Sequence, residues 1–385
     1  MKRTYTEFVH NLNGNSFKGN TRNDEAIVSY LKESFRCYNE LQESIVAETS
    51  EEVLKYIAGH LDLEKYFRNI LLATASKSYC SDLDFNNIRA IINLKEINYL
   101  KDINEHFRSV NRLLPDAGIY IGRAVTYYQR KLQIHSKYGK YAGRTLWLCD
   151  FIINRIIPKL RGFEHIYKFF TGGTFHTLSL AELLGRLVYS GFEIIEYKSI
   201  NKQVYFAAMK TNGPSYYKNP TYRPVIKLLR VGKRSKIIGV YKFRTMHPYS
   251  EYLQDFVLKL NGYNEFGKPA EDFRVTSWGK ALRKIWLDEF PQLINVLKGE
   301  MKLVGIRPVS KVRFEQFPPD IQSERIKHKP GCIPPYVSLN MPDATGNIEA
   351  ERIYFNDLKK HPYTTNLKYM FKAIFNIVTN KIRSS

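Results

Sequence analysis

Apolar residues recur at three- and four-residue steps along residues 25–35, EAIVSYLKESF, and again in SEEVLKYIAGHL, where Ser50-Glu51-Glu52 reads as a capped helix start. From about residue 67 the pattern alternates between short apolar runs and amphipathic stretches. Asn69–Ala73 is a candidate strand, and Glu96–Leu114 a candidate helix. Pro115-Asp116-Ala117-Gly118 makes the turn into a strand over Ile119–Ile121. A helix over Leu178–Leu187 leads to two strands, Gly191–Ile195 and Val204–Ala208. Trp147–Leu160, WLCDFIINRIIPKL, is apolar on several faces; it fits a buried helix or one lying against a membrane, and core packing is the simpler reading. Thr211–Pro220 is rich in breakers and marks a boundary between an α/β domain, 1–212, and an α+β, mainly helical domain, 213–385.

In the second domain Lys233-Arg234-Ser235 reads as a turn between two strands. Lys242 and Arg244 fall on one face of the second strand, because side chains alternate with period two. Met246–Lys268 reads as a helix and loop. Thr276 or Ser277 can cap a helix carrying Leu282, Ile285 and Trp286. That helix should fail near Phe290, the residue before a proline. Pro291 is placed to open the next helix, and Gly299 to end it. Met301–Val304 is a candidate strand. Leu367–Ser385 forms an amphipathic basic helix, fitted to pack on the domain or to lie on an anionic bilayer.

Composition narrows the partners. The 385 residues carry a net charge of +22, with 44% hydrophobic and 14% aromatic residues, which is ample for packed cores. Such a charge implies an anionic partner: nucleic acid, an anionic membrane surface or phosphate-rich substrates. Cys37, Cys80, Cys149 and Cys332 lie far apart and read as reduced, cytoplasmic thiols. His10 and His60 read as structural. No window of about 18 apolar residues predicts an ordinary transmembrane helix, and the N-terminus has no secretory apolar run.

One stretch concentrates the chemistry: RVTSWGKALRKIWLDEFPQLINVLKGEMKLVGIRP, Arg274–Pro308. It sets the acidic pair Asp288-Glu289 at a helix break, near a helix N-terminus and between Arg283 and Arg307. On spacing alone an Asp-Glu before a helix is most often a charge preference without chemistry. The whole word LDEFPQLINVLKGEMKLVGIRP, however, resembles the core of the bacterial sugar transferases, also called polyprenyl-phosphate hexose-1-phosphate or monotopic phosphoglycosyl transferases. Arg230-Val231-Gly232-Lys233, Tyr241–Met246 and Lys329-Pro330-Gly331 agree with that family in the same order, over roughly residues 222–385.

The resemblance implies transfer of a sugar-1-phosphate from a UDP-sugar donor to a polyprenyl phosphate acceptor. Asp288 would be the nucleophile, Glu289 the ligand of Mg2+, and Arg283 a catalytic cation. Lys242, Arg244, Arg307, Pro308, Lys329 and Gly331 would hold substrate. The family carries an apolar re-entrant helix before its core, whereas this chain has polar TNGPSYYKNPTYRP there. Peripheral attachment at the cytoplasmic face of the inner membrane is therefore expected, through basic and amphipathic surface, with a membrane-bound partner protein as a further means. The order helix, LLPDAG, strand, then helix, SGFEIIE, strand resembles the C-terminal half of class I methyltransferases. That family's GxGxG loop is missing, and Asp82-Leu83-Asp84 reads better as a solvated loop, so the first domain reads as methyltransferase-like, incomplete and non-catalytic. Three rivals stand beside the transferase: a basic nucleic-acid-binding protein, a working methyltransferase and a non-catalytic scaffold of a polysaccharide assembly complex. No zinc finger, RNP-like pattern or basic heptad supports specific nucleic-acid binding.

Overall fold

A computed structural model describes residues 36–74, 78–79, 88–157, 175–214, 223–262 and 271–379. The expected helix at 25–35, His10, Cys80 and Asp82–Asp84 lie outside the described residues. The chain folds as two compact units, Met1–Asn219 and Pro220–Ser385; the sequence reading put the boundary at 212/213.

The first unit starts with helices α1 (36–48) and α2 (Glu51–His60). Then come strands β1 (Ile70–Ala73), β2 (Ser78–Tyr79) and β3 (Ala90–Glu96), helix α3 (Ile103–Leu113) and strand β4 (Ile119–Ala124). Helices α4 (Tyr127–Tyr138), α5 (Lys140–Phe151) and α6 (Leu180–Tyr189) precede the hairpin β5 (Phe192–Ile200) and β6 (Gln203–Lys210). The six strands form one sheet in the order β2-β1-β3-β4-β6-β5. Strands β1, β3 and β4 are parallel, while β6 runs antiparallel to β4 and to β5. Helices α1 and α2 cover one face, packing Leu41, Ile45, Val53 and Ile57 against Leu72, Ile92 and Ile121. The other face carries an aromatic cluster of Phe107, Tyr120, Phe192 and Phe206. Asp102 and Ser179 cap α3 and α6 by accepting the Glu105 and Glu182 amides, each at 3.0 Å.

Two expectations need correction here, and one strand is additional to them. The helix expected to start at Glu96 starts at Ile103, because Glu96 ends β3 and Ile97–Tyr99 is a 3-10 turn. Strand β3 itself escaped the period-two search. Its first five residues are all buried, so the run shows no polar alternation. Trp147–Leu160 is not core-packed where it is described: of residues 140–157 only Gly143 and Arg155 are buried. Leu148 is 50% exposed and Ile153 49%.

The second unit opens with the hairpin β7 (Val225–Val231) and β8 (Ile237–Phe243), joined through Lys233–Ser235 as the turn residues imply. Helices α7 (Gln254–Asn261), α8 (Ser277–Lys284) and α9 (Leu293–Leu297) follow, then strand β9 (Lys302–Val304). Helices α10 (Lys311–Glu315) and α11 (Pro319–Arg325) lead to strand β10 (Gly331–Ile333). Helices α12 (Pro335–Leu339), α13 (Ala344–Lys360) and α14 (Thr365–Val378) complete the unit. Val304, Ile306, Phe317, Ile321, Tyr354 and Tyr369 form its main core. Strands β9 and β10 pair in parallel, and a Cβ at Gly331 would run into the Gly305 backbone. That approach accounts for the glycine without a ligand. Among the described residues no helix is long and apolar enough to cross a membrane.

One buried group makes the first unit sensitive to acid. His106 lies against the Tyr120 hydroxyl (3.0 Å) and near Asn93, and burial pushes its pKa down to about 4. The unfolded chain takes a proton near pH 6.5, so it binds more protons than the folded chain between that pH and about 4, and stability falls as pH drops through this window. From about pH 7 to about pH 5 the wild type should lose roughly 2 kcal/mol more than His106→Gln in urea unfolding of this unit. Equal losses in both proteins would contradict the assignment.

Candidate active site

The site is built from the end of β8, helix α8 and the break that follows. Thr276 caps α8, its hydroxyl accepting the Gly279 amide (2.9 Å) and donating to the Thr245 carbonyl (3.0 Å). The same carbonyl accepts the Thr276 amide at 2.9 Å. A side chain at position 279 would strike that carbonyl, so glycine is required for the close approach. Helix α8 is thereby fixed to Thr245, two residues past β8.

The helix ends sooner than its apolar spacing implies. It stops at Lys284, and Trp286 takes a left-handed backbone conformation, φ 59°. Leu287–Gln292 then form a 3-10 turn containing Pro291, and α9 begins at Leu293 rather than at the proline. A non-glycine residue in this region costs energy and persists where packing holds it; the Trp286 side chain packs on the cluster around Tyr336 and Val337. Gly299, φ 69°, follows α9 as expected.

The break carries the acidic pair. Asp288 is 2% exposed, and its charge acts directly on the Arg283 guanidinium. Burial lowers the Arg283 pKa, and Asp288 and Asp272 oppose that shift. Arg283 Nε donates to Thr245 Oγ1 (3.0 Å), which fixes the plane of the guanidinium. Behind it, Arg274 donates to both Asp272 oxygens (2.8 and 2.7 Å) and to Gln254 (2.8 Å). Glu289 accepts Lys242 Nζ (2.6 Å) on one oxygen and Gln292 Nε2 (2.8 Å) on the other. Asn295, fully buried, accepts the Tyr241 amide (3.0 Å) and donates to the Gly239 carbonyl (2.8 Å), so α9 and β8 keep a fixed register beside Lys242. Gln292 Oε1 is buried without a donor among the described residues, which leaves one acceptor available at the site.

Of the cations expected from sequence, Arg283 and Lys242 reach the pair. Arg244 lies beyond the end of β8 and donates to the Arg223 carbonyl (3.1 Å). Arg307 lies over the Tyr336 ring (5.6 Å) and beside Arg230, whose pKa burial and the Arg307 charge both lower. Pro308 follows it, half-buried; its carbonyl neighbour Arg307 accepts from Arg325, which pairs with the buried Glu351. Lys329 reaches toward Gly299, and Gly331 is explained by strand packing. Three groups escaped the sequence reading: Thr245, Gln292 and Cys332. Strand β10 brings Cys332 within electrostatic reach of Glu289; burial and then that negative charge push its thiol up to about 12. Only a fold could have revealed this, since Cys332 lies far along the chain.

Carboxylate oxygens suit a hard divalent cation. Among the described residues no cluster of three or more His, Cys, Asp or Glu forms a metal cage. Glu289 holds Lys242 on one of its oxygens, so a cation at that oxygen must displace the ammonium.

Residues 216–380 match the family described as bacterial sugar transferase. An uncharacterized sugar transferase of Haemophilus influenzae is 29% identical over 266 residues, covering 62% of this chain and 53% of its own. That span is longer than the C-terminal unit alone. The undecaprenyl-phosphate galactose phosphotransferase of Salmonella typhimurium is 33% identical over 179 residues, 44% of this chain and 34% of its own. The UDP-glucose:undecaprenyl-phosphate glucose-1-phosphate transferase of Klebsiella pneumoniae is 39% identical over 107 residues, 28% and 21% respectively. The chain thus spans about half or less of the length of the curated relatives it matches. The matched segment contains Lys242, Arg283, Asp288 and Glu289 together.

The cap on α8 is testable apart from activity. Thr276→Ala removes the acceptor for the Gly279 amide and the donor to Thr245, and should destabilise the C-terminal unit by about 2 kcal/mol in denaturant unfolding. A change below about 0.5 kcal/mol would show that α8 does not depend on this cap.

Proposed function

We propose that the chain is a phosphoglycosyl transferase that moves a sugar-1-phosphate from a UDP-sugar to a polyprenyl phosphate and so begins lipid-linked assembly of a surface polysaccharide. The observation that carries this reading is the buried Asp288 within electrostatic reach of Arg283, beside a Glu289 held by Lys242. An Asp288 oxygen attacks the phosphorus that bears the sugar. The bond from that phosphorus to the bridging oxygen breaks, and UMP leaves with the electron pair. An oxygen of polyprenyl phosphate then attacks the same phosphorus, and the Asp288 carboxylate is regenerated. Division into two displacements lets nucleotide depart before lipid reacts.

Arg283 neutralises charge on the phosphoryl oxygens, and the Thr245 bond orients it before substrate arrives. Lys242 serves the neighbouring phosphate. The Asp288-Glu289 pair suits Mg2+, which takes one or two carboxylates together with substrate phosphates. Bound there, the ion would supply charge neutralisation for the departing diphosphate oxygen.

The acceptor is a lipid, and the catalytic unit offers apolar surface for one. Trp278, Ile285, Phe290 and Leu297 are exposed along the catalytic stretch, and Leu367, Phe371 and Phe375 along α14. These support attachment to an anionic membrane surface on its cytoplasmic face. The order of α3, the 115–118 turn and β4, then α6 and β5, supports a methyltransferase-like origin for the first unit, and the missing glycine loop supports its being non-catalytic.

UMP release from a panel of UDP-sugars, with and without polyprenyl phosphate, tests the reading. Asp288→Asn keeps the shape and removes the anionic oxygen, so turnover should fall by about 10³-fold or more. Near wild-type turnover in this variant would rule out attack by Asp288.

A further inference from the structure

The helical hairpin α4–α5 has no part in the chemistry above, yet its composition is anomalous for an exposed element. Its two helices turn at Gly139, φ 76°, and pack closely where Gly143 meets the His135 backbone. Arg130 clamps them by donating to both oxygens of Asp150, each at 2.5 Å. Away from this contact α5 and the π-helical turn Ile152–Ile156 present apolar side chains over most of their circumference: Tyr141 (85% exposed), Leu146, Leu148, Ile152, Ile153 and Ile156. A helix apolar on several faces is ordinarily covered, and a patch of this kind marks a contact surface.

The charge on the hairpin indicates what covers it. Asp150 is the one carboxylate in residues 127–157, and Arg130 occupies it. Arg155 is committed to Glu182 (2.6 Å). Lys131, Lys137, Lys140 and Arg144 enter no salt bridge among the described residues. Lys131 lies over the Trp147 ring (4.8 Å) and Lys137 over that of Tyr138 (5.2 Å), so long cationic side chains run along aromatic surface. Protein interfaces deplete lysine. Amphipathic elements at a lipid surface combine lysine and arginine with tyrosine, tryptophan and leucine in this way.

We propose that the α4–α5 hairpin docks the N-terminal unit on an anionic lipid surface, with Leu148, Ile152 and their neighbours entering the headgroup boundary and the four free-standing cations meeting lipid phosphates. The proposal rests on the transferase reading only in supplying a reason for the chain to meet a membrane. It gives the first unit an anchoring role.

Trp147 reports on this directly. In full-length protein carrying Trp278→Phe and Trp286→Phe it is the sole tryptophan. Vesicles of brominated phosphatidylcholine mixed with phosphatidylglycerol should shift its emission to the blue and quench it, and vesicles of brominated phosphatidylcholine alone should do so far less. Leu148→Glu combined with Ile152→Glu should abolish the quenching and weaken vesicle partitioning about tenfold. Protein that sediments with anionic vesicles while Trp147 stays unquenched overturns the proposal, since another surface then does the binding. Blue, lipid-insensitive Trp147 emission in solution also overturns it, because another segment of the chain or a second copy then covers the face. The burst of UMP from UDP-sugar in lipid-free buffer should be unchanged by the two glutamates in the native-tryptophan background. Its absence from wild type would count against the transferase reading and leave the quenching result standing.

Discussion

The Asp288 carboxylate, almost closed to water and within electrostatic reach of the Arg283 guanidinium, sets the terms for the C-terminal unit. Buried ion pairs seldom add net stability, because desolvation of two charges offsets their attraction. What the arrangement supplies is preorganisation: a carboxylate and a cation held within electrostatic reach before any substrate binds. Both ends are secured from outside. Arg283 is held through Thr245, and Asp288 through the turn that Trp286 imposes. The strained residue sits in the sequence between the two charges, where it turns the chain from the axis of α8 into the 3-10 turn.

Glu289 plays the complementary part. Its two oxygens are shared between Lys242 on β8 and Gln292 on its own turn, so the strand and the break are linked at the site itself. Asn295 repeats that link a turn later through the β8 backbone. A two-stranded hairpin is marginal alone; here β8 gains its rigidity from α8, α9 and the polar groups between them. Exposed apolar residues also lie along the catalytic stretch and α14 of the same unit, and those of α4–α5 belong to a different fold element with its own basic complement.

Much of this could be read from the residues, in proportion to how local the cause was. The Thr276 cap, the hairpin turn at Lys233–Ser235 and the glycine closing α9 depend on neighbours a few positions away, and the structure has them. Asp288, Glu289, Arg283 and Lys242 were singled out because their order along the chain matched a known word, and the fold sets Lys242 on Glu289 and Arg283 within electrostatic reach of Asp288. Trp286 was misread as helical, since tertiary packing and not propensity holds its left-handed backbone. Arg244 and Arg307 looked equivalent to Lys242 by charge; in the fold Arg244 donates to the Arg223 carbonyl past the strand end and Arg307 lies over the Tyr336 ring. Thr245 and Cys332 become site residues only through pairings distant in sequence. Strand β3 gave no alternation because its apolar run is buried on both faces, and α5 looked like core because apolar periodicity cannot tell a protein interior from an exposed apolar face.

The central claim is that one oxygen, on Asp288, becomes bonded to the sugar's phosphorus. Full-length protein mixed with UDP-sugar alone, quenched in acid, digested and mapped by mass spectrometry tests it most directly. A peptide containing Asp288 that gains the mass of a phosphosugar, with an equal amount of UMP released, is the predicted result. An unmodified Asp288 peptide in protein that goes on to transfer the sugar to polyprenyl phosphate would contradict it.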